Sequence, residues 1–122
     1  MTNKEFGEKL ELRTKDFAIR IIKLSANIPR TDEGRVIKNQ ISKSGTSVGA
    51  NYREANRARS AADFRNKIKI SESEVSETVY WLEIIEKLDW IKNDELQIIL
   101  SEAKEILICN SSFLKFLWPQ KV

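Results

Sequence analysis

With 122 residues, 41% apolar and 32% charged, the chain has the size and composition of one globular domain, and it excludes a disordered segment. A net charge of +3 comes with no histidine and one cysteine, which removes the commonest general base and metal ligand and excludes both an internal disulfide and a cysteine-built metal site. No apolar run approaches the ~20 residues of a membrane span, and Met1-Thr2-Asn3-Lys4-Glu5 lacks the apolar core of a secretion signal, so a cytoplasmic protein is expected.

Helical period runs through nearly the whole sequence. In the first segment Phe6, Leu10, Phe17, Ile21, Leu24 and Ile28 recur at steps of three, four or seven, with Ala18 and Ile22 widening the stripe. Pro29 is expected to end this helix, because its ring cannot continue the hydrogen-bond ladder. Thr31 then reads as an N-cap, followed by Asp32 and Glu33 in the first turn, where carboxylates complement the helix dipole. The second stripe is Ile37, Ile41, Ser44, Val48, Tyr52 and Ala55, and the helix should stop near Asn56.

Ser60 with Asp63 forms a capping box that opens the third helix, whose stripe is Phe64, Ile68, Ser71, Val75, Thr78, Leu82 and Ile85 at near-heptad spacing. Asn93 caps the fourth, with Asp94 and Glu95 behind it. Its apolar face is Leu96, Ile99, Leu100, Ala103, Ile106, Leu107, Phe113, Leu114 and Leu117, and Pro119 marks its end. No alternating strand pattern and no glycine-rich hairpin turn occurs. The expected fold is all-α: a single domain spanning 1–122, an antiparallel up-down-up-down four-helix bundle with helices of about 25 residues.

Small residues interrupt the second helix at Ser44-Gly45-Thr46-Ser47-Val48-Gly49-Ala50-Asn51. Each glycine costs a helix roughly 1 kcal/mol relative to alanine, so the run implies a neighbouring backbone that approaches closely, or else a kink near Gly45.

Charge is segregated along the chain. Residues 35–70 hold nine cations (Arg35, Lys38, Lys43, Arg53, Arg57, Arg59, Arg65, Lys67, Lys69) against Glu54 and Asp63, a balance of +7, whereas residues 71–105 hold three cations against ten acids, a balance of −7. In an up-down bundle the turn between the second and third helices shares a pole with the chain termini, so Arg53, Arg57, Arg59, Lys4, Lys115 and Lys121 are expected to gather there. Compensation of the second helix's C-terminal dipole accounts for Arg53, Arg57 and Arg59. It does not account for Arg65, Lys67 and Lys69, which lie near the start of a helix, with Arg65 and Lys69 one turn apart. A polyanion such as RNA or DNA, or an acidic protein surface, would relieve their repulsion.

Nothing points to an enzyme, a cofactor or a metal. Glu74 and Glu77 lie one turn apart but lack the Glu-x-x-His pairs of di-metal bundles, and Gly45-Thr46-Ser47-Val48-Gly49 has neither the spacing nor the lysine of a phosphate loop. Cys109, within Ile106-Leu107-Ile108-Cys109, reads as a buried, inert thiol. Tyr80 and Trp81 precede the seam position Leu82, so at least one of them should face away from the core; these rings, with Trp90 and Trp118, either anchor an oligomer interface or pack at the bundle's edge. Stacking of RNA bases is a weaker alternative, because Trp81 lies in the acidic half.

Three stretches carry a resemblance: Ser44 to Ala55, Arg57-Ala58-Arg59-Ser60-Ala61-Ala62-Asp63-Phe64, and Glu77-Thr78-Val79-Tyr80-Trp81-Leu82-Glu83. They resemble the four-helix-bundle family of the 23S rRNA intervening-sequence protein and, more distantly, accessory proteins of diversity-generating retroelements. The resemblance implies a non-enzymatic homo-oligomer, typically a five-fold ring. It also implies that nucleic acid and an enzyme partner such as a reverse transcriptase bind through basic surface, here Arg53, Arg57, Arg59, Arg65, Lys67 and Lys69. The stretch Ser47 to Ala55 departs from the motif of many relatives and places the chain in a separate branch. A protein-interaction scaffold that recruits an acidic partner is the alternative role.

Overall fold

The computed structural model describes residues 2–114. They form α1 (Asn3–Ser25), α2 (Asp32–Asn56), α3 (Ala61–Lys87) and α4 (Asp94–Leu114), with no strand among the described residues. Helix α2 packs between α1 and α3, α3 between α2 and α4, and α4 closes the ring against α1. Short connections force neighbours to run antiparallel, which makes this the expected up-down-up-down bundle. Leu117 and Pro119, assigned to the end of the fourth helix, lie outside the described residues.

Side-chain caps fix three of the four starts where the sequence placed them. Thr31 accepts from the Gly34 N–H at 3.0 Å, Ser60 from the Asp63 N–H at 3.1 Å, and Asn93 from the Leu96 N–H at 3.2 Å. Each satisfies a donor that the first helical turn leaves without a backbone partner. A cap that the sequence reading did not single out, Thr2, accepts from the Glu5 N–H at 3.1 Å.

Two expectations about α1 need correction. The helix stops at Ser25, before Pro29 forces it to: the Asn27 and Ile28 N–H groups bond in tight turns to Leu24 and Ser25 carbonyls at 3.0 and 3.2 Å. Those turns carry Ile28 inward, where it is buried at the end of the core. Ile22, expected to widen the apolar stripe, is 52% exposed. One position after Ile21 on the helix, it is rotated by about 100° out of the seam.

Helix α2 continues unbroken through its small-residue run, and α1 is the neighbour that needs the space. A Cβ on Gly45 would lie 2.7 Å from Cγ2 of Ile21, and one on Gly49 would lie 3.1 Å from the backbone oxygen of Thr14. The hydroxyls of Thr46 and Ser47 bond back to the Ser42 and Lys43 carbonyls at 2.7 Å, so these residues satisfy their polarity within the helix.

The interior has two apolar clusters. The larger joins Phe17, Ile21, Ile41, Val48, Val75, Leu82, Ile99 and Ile106 from all four helices; the smaller joins Leu10, Tyr52, Ala55, Ala58, Phe64 and Ile68 beneath the α2–α3 turn. Along the helices Thr14, Ser71 and Asn110 fall between these clusters, all fully buried. Asn110 Nδ2 donates to Ser71 Oγ at 3.2 Å, and Ser71 donates to the Val48 carbonyl at 2.9 Å. Nearby Thr78 donates to Ser44 Oγ at 2.9 Å. The positions at which serine, threonine and asparagine replace apolar residues in the seam are thus linked across α2, α3 and α4.

Candidate nucleic-acid interface

The turn between α2 and α3 is built around Ala58. This residue is 3% exposed and packs into the smaller cluster, so its neighbours Arg57 and Arg59 are turned out to solvent. Arg57 caps α2: its backbone N–H donates to the carbonyls of Glu54 and Ala55, and its Nη1 donates to the Arg53 carbonyl at 3.3 Å. Arg57 also lies 3.9 Å from Glu11 Oε1. Next to it Asn56 donates to that same carboxylate and to the Gly7 carbonyl, both at 3.0 Å. Asn56 and Glu11 thereby fasten this end of α2 to the first turns of α1. Sequence reasoning did not single out either, because only the fold brings these distant positions together.

Arg53 projects from the last turn of α2 and is exposed, as is Arg59. On α3, Arg65 and Lys69 are exposed one turn apart on the flank nearer α4, whose Ser111 reaches across to Glu72 at 2.7 Å. Lys67 is half-buried on a different flank, since a residue two positions away is rotated by about 200°. The six cations therefore surround one end of the bundle without forming a single continuous face. Among the described residues none of Arg53, Arg59, Arg65, Lys67 and Lys69 makes an ion pair, whereas Arg57 is partly occupied by Glu11. Lys4 is exposed near the start of α1. Lys115 and Lys121, assigned to the same pole, lie outside the described residues, as does Trp118.

The strongest ion pair is elsewhere, between α1 and α4. Arg13 donates to both carboxylate oxygens of Glu102 and to Glu105, each at 2.7 Å. Its hydrogen bond holds the Glu102 carboxyl below the usual range, against the opposing effect of burial. The same guanidinium lies 3.9 Å from Cys109 Sγ. Cys109 is half-buried rather than buried, at the margin of the smaller cluster on the side where Arg13 approaches.

Glu74 is half-buried on α3, where desolvation raises its pKa, neighbouring Glu77 raises it further and Lys43 opposes both. Glu77 accepts from Trp81 Nε1 at 3.3 Å. No group of acids, cysteine or histidine suited to a metal ion occurs among the described residues. Of the adjacent aromatics, Tyr80 is 56% exposed while Trp81 packs partly against the larger cluster, as does Trp90. Tyr80 and Trp81 meet edge to face, with ring centres 5.0 Å apart. No helix among the described residues is long and apolar enough to cross a membrane.

A comparison with curated proteins finds no match. A solved structure of a protein of unknown function from the S23 ribosomal protein family of Bacteroides thetaiotaomicron is 35% identical to this chain. It superposes with a TM-score of 0.83, and the match covers 90% of this chain and 98% of that one. The family model described as 23S rRNA-intervening sequence protein matches residues 9–110, which takes in all of α2 and α3, most of α1 and α4, and the six cations from Arg53 to Lys69. The chain belongs to the 23S rRNA intervening-sequence protein family.

Proposed function

We propose that this protein is a non-enzymatic, cytoplasmic homo-oligomer that binds RNA or DNA through the basic end of its bundle. The observation that carries the proposal is the set of cations around the α2–α3 turn that have no internal anion: Arg53, Arg59, Arg65, Lys67 and Lys69. Helix-dipole compensation explains Arg53 and Arg57 but not Arg65, Lys67 and Lys69, which lie past the first turn of α3 and far from its C-terminus. Phosphates supply the missing charge, and counterion release on binding supplies much of the affinity.

The test is a binding titration at low salt with single- and double-stranded RNA and DNA. Wild type is expected to bind, with log affinity falling against log salt by about 0.7–0.9 for each phosphate contact. Arg65→Glu combined with Lys69→Glu should abolish binding and leave the helical spectrum intact. Failure of wild type to retain any of the four substrates refutes the proposal.

An acidic protein surface is the competing ligand, favoured by the placement of Lys67 apart from Arg65 and Lys69, since a folded partner can contact separate flanks. Binding of that kind would have no preference for nucleic acid. Assembly rests on the outward face of α1, where Leu12, Ile19 and Ile22 are 71%, 45% and 52% exposed. We propose the five-fold ring that the family resemblance implies. Light scattering at micromolar concentration tests it, and a monomer mass refutes it.

A further inference from the structure

The basic end leads directly into a groove between α3 and α4. Lys69, Ser73, Ser76 and Tyr80 follow one another at steps of four, three and four, so they form one stripe along α3, and the groove beside them has a volume of about 650 Å³. Its α4 wall includes Leu107 and Ser111. A cation stands at one end of this stripe, an aromatic ring that is 56% exposed stands at the other, and hydroxyls lie between. The two carboxylates in the groove are engaged internally: Glu72 accepts from Ser111 at 2.7 Å and Glu77 from Trp81 at 3.3 Å.

Charge determines how a strand can lie here. Glu77, three positions before Tyr80, repels phosphate from that end; Glu72, three positions after Lys69, is held by Ser111 of α4, and beside it Arg65 and Lys69, without ion pairs, attract phosphate at the other end. Lys69 and Tyr80 stand about 16 Å apart along α3, so a strand with phosphate at Lys69 reaches Tyr80 a few nucleotides further on, and what the Tyr80 end accepts is a neutral, flat group with polar edges. A nucleobase has that form, with its face on the Tyr80 ring and its edge on the serine hydroxyls. A duplex keeps its bases stacked and paired inside, so only an unpaired strand can place one in the groove.

We propose that the α3–α4 groove is a single-strand subsite, in which Arg65 and Lys69 hold phosphate and Tyr80 stacks a base. This rests on the reading that the basic end binds nucleic acid. It adds a preference for single strands and a residue, Tyr80, that carries no charge and lies outside the basic segment.

Anisotropy titrations of a labelled single-stranded RNA ten-mer and of an RNA duplex test it, using wild type, Tyr80→Ala and Tyr80→Phe. Loss of a stacked base weakens affinity by about 5- to 100-fold. Tyr80→Ala should therefore lower single-strand affinity by that factor and leave duplex affinity unchanged, and Tyr80→Phe should restore the loss. Because Tyr80 touches Trp81, the single strand should also change Trp81 emission, and the duplex should not. If Tyr80→Ala binds the single strand as wild type does, or loses affinity for both substrates equally, the groove is not the subsite. Should Arg65→Glu with Lys69→Glu abolish binding while Tyr80→Ala changes nothing, the basic end stands and the groove alone fails. If wild type binds neither these RNAs nor the corresponding single- and double-stranded DNA, both readings fail.

Discussion

Replacing Gly45 with alanine separates local helix preference from the packing of α1 on α2. Preference alone makes the change favourable by about 0.8–1.0 kcal/mol, since Gly45 lies inside α2, well away from either end. Packing opposes it. The new methyl would sit 2.7 Å from Cγ2 of Ile21 and 3.0 Å from both Cβ and Cγ1, whereas carbon atoms rest about 3.5–4.0 Å apart. Ile21 is fully buried and β-branched, so it cannot swing aside, and the two helices must separate. Overpacking of this kind costs about 1–3 kcal/mol, leaving a net destabilisation of up to roughly 2 kcal/mol. Urea denaturation should register this as a lower midpoint with an unchanged slope. In an Ile21→Ala background the clash is gone, and the same substitution should stabilise by about 1 kcal/mol, a coupling of about 1–3 kcal/mol between the two sites. Stabilisation by Gly45→Ala in the wild-type background, or an additive cycle, would refute the close-packing argument.

Three further outcomes follow from the interior and the helix ends. Ser71→Ala removes the acceptor of Asn110 Nδ2 and the donor to the Val48 carbonyl in a fully buried layer, and should cost about 2–3 kcal/mol by urea denaturation. Asp89 has φ 54° just past α3, where the Trp90 N–H returns to the Ile85 carbonyl and the Asp89 N–H to that of Glu86; Asp89→Gly should raise the melting temperature, with a gain of about 0.5–1 kcal/mol. Glu102 has a folded pKa below its ordinary value of 4.5, so its contribution is present above that value and lost as the pH falls through the folded pKa. Stability measured from neutral pH into that acid range should therefore fall less steeply in Glu102→Gln than in wild type.

The bundle was legible because seam residues recur at helical spacing and Thr31, Ser60 and Asn93 sit just before the helices they cap. The end of α1 was not, because Pro29 masks the earlier turn at Leu24–Ile28, which burial of Ile28 favours. Ile22 was misplaced because an isoleucine beside a seam looks the same in sequence whether it lies inside or outside. The cations of the candidate interface were readable from charge segregation. Their division into separate flanks follows from helix rotation and from which neighbour each flank meets. The Asn56–Glu11 clamp and the Arg13–Glu102 pair join residues 45 and 89 positions apart, so no local pattern announces them.

The central claim, that the basic end of the bundle engages nucleic acid, is tested most directly by residue-resolved amide chemical shifts during titration with a short RNA. Shifts should concentrate at residues 53–69 and leave 83–95, at the opposite end, unmoved. Shifts confined to 83–95, or none at any concentration of the RNA or of a DNA of the same sequence, would overturn it.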